Sequence, residues 1–296
     1  MKSNLPEQRV FNTRTTIRCK SRLIDLSKPV VMGILNLTPD SFFDGGKYTD
    51  NKAIIRQAGR LLKEGAAIID LGAASSRPGA RMISEKTELK RLIPALREIL
   101  HRYPEAIISV DTWRSKVAEK CVAEGAAIIN DISAGNLDGE MFSAVAALKV
   151  PYVMMHMKGT PSDMQKKPEY DHVVSDVFQE FTAKLALLRN AGVSDILIDP
   201  GFGFGKTVKH NYQLLNALPE FKMLGYPVLV GVSRKSMICK VLHVSPDAAL
   251  NGTTALHMAA LLKGASVLRV HDVKAAVETI SLFSRIRFPE SDSILI

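Results

Sequence analysis

Short apolar runs alternate along the chain with longer segments in which apolar residues recur at i, i+3 and i+4. The runs lie at 30–36, 67–72, 106–112, 127–133, 152–157, 196–201, 228–233 and 267–271. They are too short for buried helices and end in small or polar residues, which predicts eight strands. The segments between them predict amphipathic helices, with Leu92, Leu96 and Ile99 on one face of the second and Val177, Phe181, Leu185 and Leu188 on one face of another. Twice a helical segment closes on the same phrase, Lys63-Glu64-Gly65-Ala66-Ala67-Ile68-Ile69-Asp70 and Ala123-Glu124-Gly125-Ala126-Ala127-Ile128-Ile129-Asn130, where glycine supplies the helix cap before a new strand. Eight such units without a Pro/Gly/Ser-rich linker predict an α/β chain folded as a single-domain (β/α)8 barrel of the TIM type. The competing open, doubly wound sheet lacks support, because no G-x-G-x-x-G follows the first strand. The expected division is a basic N-terminal segment or hairpin at 1–28, the barrel at 29–288 and a tail at 289–296.

The composition fits that pattern and narrows the partners. The chain has 296 residues, 46% of them hydrophobic and only 6% aromatic, as suits parallel strands buried on both faces. Its formal net charge is +9, which raises nucleic acid or an anionic surface as a partner. Residues 1–28 hold Lys2, Arg9, Arg14, Arg18, Lys20, Arg22 and Lys28 against Glu7 and Asp25, so over half of the charge sits there. With no basic block and no aromatics interleaved among basic residues, neither nucleic acid nor membrane is expected as a partner. Cys19, Cys121 and Cys239 form neither a C-x-x-C pair nor a metal-ligand spacing. No apolar stretch approaches the roughly 20 residues that span a bilayer, and a cytoplasmic location is expected.

In a barrel of this kind the strand C-termini converge on one face, where ligands bind. The sequence places Asn36, Asp70, Asp111, Asn130, His156, Asp199, Ser233 with Lys235, and Arg269 with His271 at those ends. A buried strand tip has no structural need of a charge, and an unpaired one is costly. Tips that are polar all round therefore predict a ligand site. The carboxylates and amide of Asp70, Asp111, Asn130 and Asp199 suit the N–H donors of a planar heterocycle. Lys235, Arg269 and His271, on the last two strands where such barrels commonly hold phosphate, suit an anion. The run Pro200-Gly201-Phe202-Gly203-Phe204-Gly205-Lys206 lets backbone approach a ligand with a Phe ring as stacking face; its spacing does not match a P-loop. Two long loops, 37–48 and 73–84, suit lids, with Arg77 able to meet an anion.

Several phrases, in this order, closely resemble dihydropteroate synthases: Asn36-Leu37-Thr38-Pro39-Asp40-Ser41-Phe42, Ser75-Ser76-Arg77-Pro78-Gly79, Ser109-Val110-Asp111-Thr112, Asn130-Asp131-Ile132, Met155-His156-Met157, the Gly/Phe run ending in Lys206, Ser233-Arg234-Lys235-Ser236, and Arg269-Val270-His271-Asp272. The resemblance implies condensation of 6-hydroxymethyl-7,8-dihydropterin diphosphate with 4-aminobenzoate, releasing diphosphate, by a homodimer that uses Mg²⁺. It implies that Asp111, Asn130, Asp199 and Lys235 hold the pterin, lined by Phe204 and Met155. Asn36, Arg269 and His271 would take the diphosphate as neutralising groups, with Asn36 also on Mg²⁺. Ser76, Arg77 and Asp44 would complete the aminobenzoate site from the two loops, and Ser236 would meet the aminobenzoate carboxylate. Asp111, Lys235, Asp44 and Arg77 are the expected catalytic set. One departure stands out: Ala74-Ser75-Ser76-Arg77 replaces the family's acidic residue followed by Ser-Thr-Arg. Pterin-dependent methyl transfer, a pterin sensor and an aldolase with a Lys235 Schiff base are the alternatives, and aminobenzoate-dependent diphosphate release separates them.

Overall fold

The computed structural model describes residues 14–37, 51–74, 82–166 and 168–290. Eight parallel strands follow one another around a barrel: β3 (Val30–Asn36), β4 (Ile68–Gly72), β5 (Ile108–Asp111), β6 (Ile128–Asp131), β7 (Tyr152–Met155), β8 (Ile196–Asp199), β9 (Leu229–Val230) and β10 (Val267–Val270). β10 pairs with β3, and a bridge from Ile198 to Val228 closes the ring between β8 and β9. The fold is the (β/α)8 barrel expected from the alternation. Helices follow the strands, among them Asn51–Lys63, Glu85–Arg102, Ser115–Ala123, Val173–Asn190, Leu250–Leu262 and Val273–Arg287. The repeated Gly phrases cap helices as expected: Gly65, Gly125 and Gly264 sit at φ of 99°, 112° and 94°, a region that a side chain disfavours.

Alternation along the strands sorts the apolar residues into two cores. Outward positions such as Val31, Leu35, Ile69, Val110 and Ile129 pack with the helices. Inward positions Met32, Ile68, Ile128, Val153, Leu197, Leu229 and Val267 fill the lower barrel. Each fully buried aliphatic there contributes about 1.5–3 kcal/mol relative to exposure. Two residues further along the same strands come Ile34, Asp70, Asn130, Met155, Asp199, Gly231 and Arg269, so the strand period itself lifts Asp70, Asn130, Asp199 and Arg269 into one layer above the apolar one.

Before the barrel, β1 (Thr16–Cys19) and β2 (Arg22–Asp25) form an antiparallel hairpin through Lys20-Ser21, with Lys20 at φ 58° as a two-residue turn of this kind needs. Ile17, Cys19 and Ile24 pack into the lower core and floor the barrel. Burial pushes the Cys19 thiol up to about 12, which leaves it protonated and inert. Arg14 donates to the Ser194 carbonyl and Arg22 to the Glu105 carbonyl. Part of the basic N-terminal charge is thus spent on the floor, at the end of the barrel opposite the polar strand tips.

The ladders stop short of the predicted strands. β9 is the extreme case, covering Leu229–Val230 where 228–233 was expected. The chain leaves the ladder because a turn begins at once: the Lys235 N–H donates to the Val232 carbonyl at 3.1 Å and Arg234 takes φ 55°. That turn aims Lys235 back across the barrel mouth.

Candidate active site

At the barrel mouth Arg269 joins two strands. Its Nε donates to Asp70 Oδ2 at 2.6 Å and its Nη2 to Asp111 Oδ2 at 2.7 Å. Asn130 Nδ2 donates to the same Asp70 oxygen at 3.0 Å. Asp70, on β4, is fully buried, and it sets the orientation of both Arg269 and Asn130. Its role as a bridging carboxylate was not legible in the sequence, which offered it only as one more polar tip. Across the mouth, Asp199 accepts the Gly201 N–H at 2.8 Å, and Lys235 donates to the Phe202 carbonyl at 2.6 Å. The Lys235 ammonium lies 4.7 Å from the centre of the Phe204 ring.

The two Phe rings of the Gly-rich loop divide their work. Phe202 is wholly buried in the outer core, while Phe204 joins Met155, Met157, Met164, Ile132 and Trp113 in a small apolar cluster at the mouth. Met155 and Phe204, which the resemblance implies as lining of a pterin pocket, are brought together in this cluster. Trp113, the chain's single Trp, and Met157 are lining residues that the pattern did not single out. A Trp after the Asp111-Thr112 tip was the available signal.

Burial shifts the ionisable groups here. It pushes Asp111 up to about 7 against the pull of Arg269, with Asp70 adding to the push. It raises Asp199 above the usual carboxylate range against the pull of Lys235. It draws Lys235 down to about 8 in spite of the attraction of Asp199. Arg269 is held above its ordinary range by Asp70 and Asp111, which outweigh its burial. Asp70, Asp111 and Asp199 surround Arg269 and Lys235, so the mouth is rich in carboxylate acceptors. It suits a ligand rich in N–H donors.

His271 differs from expectation. It was read as a cation for the diphosphate, yet burial and the neighbouring Arg269 draw it down to about 4. It is a neutral imidazole near pH 7. Ser233 Oγ accepts the His271 backbone N–H at 3.2 Å and lies 3.1 Å from Nδ1. In the tautomer where the hydroxyl donates to Nδ1, His271 is left with Nε2–H as a donor toward an anion. A second reading fails outright. His156, grouped with the polar tips, turns behind the site: its Nε2 lies 3.2 Å from Glu180 and its Nδ1 2.9 Å from Lys206.

Arg234 braces the last two strand tips with two 2.8 Å bonds to Asp272 from Nε and Nη2. Ser236 opens the helix Ser236–Leu242 directly after Lys235. Asn36 ends β3 half-buried, next to the site. Asp44, Ser76 and Arg77, expected from the two loops, lie outside the described residues. At the described ends of the second loop, Arg91 donates to the Ala73 carbonyl at 2.9 Å and Arg114 to the Ile83 carbonyl at 2.7 Å, with Arg114 also paired to the buried Glu88.

A barrel whose mouth presents this layer of carboxylates, amide and paired cations belongs to the class of barrel enzymes that hold a polar heterocycle at the strand C-termini. The family description "Pterin binding enzyme" matches residues 32–271. The Escherichia coli dihydropteroate synthase is 45% identical over 257 residues, covering 86% of this chain and 90% of its own. Among solved structures, the Yersinia pestis dihydropteroate synthase with a sulfonamide drug complex superposes with a TM-score of 0.86 at 40% identity, covering 92% of this chain and 99% of its own. The Xanthomonas albilineans enzyme with 4-aminobenzoic acid also gives 0.86 at 40% identity, covering 93% and 99%. The chain belongs to the pterin-binding enzyme family, among its dihydropteroate synthases.

Proposed function

We infer that this chain condenses 6-hydroxymethyl-7,8-dihydropterin diphosphate with 4-aminobenzoate, giving 7,8-dihydropteroate and diphosphate for folate synthesis. The observation that carries the reading is the acid-rich mouth built by Asp70, Asp111, Asn130 and Asp199 around Arg269 and Lys235, in a chain of this family. Asp111, Asn130 and Asp199 take N–H donors of the pterin, and Lys235 takes an acceptor on the ring, with Met155 and Phe204 on its faces. As the bond from the methylene carbon to diphosphate oxygen breaks, the ring gains positive charge. The carboxylates of Asp111 and Asp199 offset that charge at close range in a buried site. Arg269 and the Nε2–H of His271 face the departing anion. The neutral arylamine attacks the methylene carbon and then gives up one N–H proton to the departing diphosphate or to water, with Ser76, Arg77 and Asp44 of the loops completing the aminobenzoate site and Ser236 beside its carboxylate.

For Mg²⁺ the donor set is sparse. Among the described residues no group of three or more His, Cys, Asp or Glu gathers to hold a metal. Asn36 offers one hard amide oxygen, which fits an ion that keeps water and takes most of its other ligands from phosphate. Bound there, Mg²⁺ would neutralise charge on the diphosphate. No helix among the described residues is long and apolar enough to cross a membrane, and a cytoplasmic homodimer is part of the proposal. Exposed Leu262, Leu282 and Ile286 on the two last helices supply apolar surface for that dimer, which light scattering checks against twice 32.4 kDa.

The test is diphosphate release from the pterin substrate with and without 4-aminobenzoate. Release that depends on aminobenzoate supports the synthase; release without it, or none, overturns it. The pH dependence follows from two groups. A protonated Asp111 no longer accepts from the pterin, so kcat/KM for the pterin substrate should fall as pH drops through about 7. A neutral Lys235 loses its charge, so the same quantity should fall as pH rises through about 8. Lys235→Arg, charged throughout, should shift the alkaline limb upward. An unmoved limb assigns it to another group.

A further inference from the structure

The Gly/Phe loop folds around a buried lysine, drawn down to about 7 by its burial, that the reaction above does not use. Lys206 is only 3% exposed. Its Nζ donates to the carbonyls of Gly201 at 3.0 Å, Phe204 at 3.0 Å and His156 at 3.2 Å, and lies 2.9 Å from His156 Nδ1. Glu180, held well below the ordinary carboxylate range by His156 and Lys184 in spite of its burial, is an acceptor only. The proton of His156 therefore sits on Nε2, facing Glu180, and Nδ1 is a bare acceptor; the N–H groups of Lys206 serve Nδ1, Gly201 and Phe204, and the longer 3.2 Å contact to the His156 carbonyl shares one of them. Glu180, His156 and Lys206 form one directed chain that runs from the helix Val173–Asn190 to the loop.

The loop has little other freedom. A Cβ on Gly201, at φ 71°, would stand 1.9 Å from the His156 carbonyl oxygen, and one on Gly205, at φ 61°, 2.3 Å from that of Lys158. Only glycine permits the backbone to close this tightly over the ammonium. The remaining carbonyls are committed outward: Gly203 to Gln165, Gly205 to Tyr170, and Phe202 to Lys235.

We propose that Lys206 is a positioning residue for the pterin pocket: by drawing the carbonyls of Gly201 and Phe204 beneath the loop, it sets where the Phe202 carbonyl and the Phe204 ring hold Lys235. Both Lys206 and His156 are buried beneath the loop, at 3% and 2% exposure. The proposal rests on Lys235 being a pterin contact, so its failure must be separable from failure of that reading.

The experiment compares Lys206→Met, His156→Leu and His156→Gln in the full chain, measuring kcat and KM for both substrates beside thermal unfolding. Lys206→Met should raise the KM for the pterin diphosphate about tenfold or more while the KM for 4-aminobenzoate stays within about twofold. His156→Leu, which removes the Nδ1 acceptor and the Nε2 donor, should raise the pterin KM in the same sense. His156→Gln, which offers an acceptor to Lys206 and a donor to Glu180, should restore it to within about twofold of the parent. If Lys206→Met does not fold, the two His156 variants decide. Equal pterin KM values for Leu and Gln, or both substrates' KM values rising together, overturn the proposal. If Lys235→Ala itself leaves the pterin KM unchanged, the underlying assignment of Lys235 has failed instead.

Discussion

Arg269→Met should abolish measurable turnover and cost about 3–5 kcal/mol of folding stability. In the parent, the guanidinium is the only cation bonded to both Asp70 and Asp111 among the described residues, at 2.6 and 2.7 Å. Asp70 is fully buried and Asp111 nearly so. Removing the arginine leaves two buried carboxylates on the adjacent strands β4 and β5 without the guanidinium that joins them, and one must take up a proton. Asn130 then loses the fixed acceptor that orients it. The loss should show as a lower urea midpoint and as absent diphosphate release. Adding Asp70→Asn to Arg269→Met removes one stranded charge, so stability should partly return while turnover does not. A single variant within about 1 kcal/mol of the parent would mean that the bridge is not what holds the mouth together.

Asp111→Asn and Lys235→Ala should each leave a folded barrel with turnover lowered on the order of a thousandfold. Sites that pair a buried polar group with a specific substrate N–H or acceptor discriminate by factors of about 10⁴ when that pairing is lost, and an isosteric amide keeps part of it. Asp111→Asn preserves shape but replaces one acceptor oxygen by a donor, which repels the pterin N–H and weakens the bond to Arg269. Lys235→Ala removes the charge over Phe204 and opens the space against Gly231, whose added Cβ would meet the Lys235 ammonium at 3.6 Å. Far-UV circular dichroism like that of the parent, together with lost aminobenzoate-dependent release, is the expected pair of results. Parent-like turnover by either variant removes that residue from the mechanism.

Much of this site was legible because strand periodicity is a local property. Ile68 and Asp70, Ile128 and Asn130, Leu197 and Asp199, and Val267 and Arg269 are each two residues apart, so a strand that puts the first inside puts the second inside as well. The apolar lower layer and the polar upper layer could thus be read as two successive inward positions. The same local logic found the Gly caps and the Gly-rich turn. It misjudged His156 by taking position at a strand end as enough: one residue past the inward Met155, His156 has the opposite parity, and the same rule turns its ring outward toward Glu180 of the helix Val173–Asn190. It also took His271 for a cation, since protonation depends on the burial and the neighbouring guanidinium that the fold supplies.

By itself the sequence determined the barrel, its polar face, the split of the two Phe rings between core and ligand as a choice, and the family's motifs in order. These rest on spacing and residue type, which are one-dimensional. Only the tertiary structure decided that Asp70 is the hinge between Arg269 and Asn130, that Phe204 and not Phe202 faces Lys235, and that Lys206 is sealed beneath the loop with Glu180 behind it. Those contacts join residues up to 199 positions apart. Their partners are chosen by which strand tips the closed ring brings together, and in the buried mouth each must be matched because an unpaired charge there is too costly to keep.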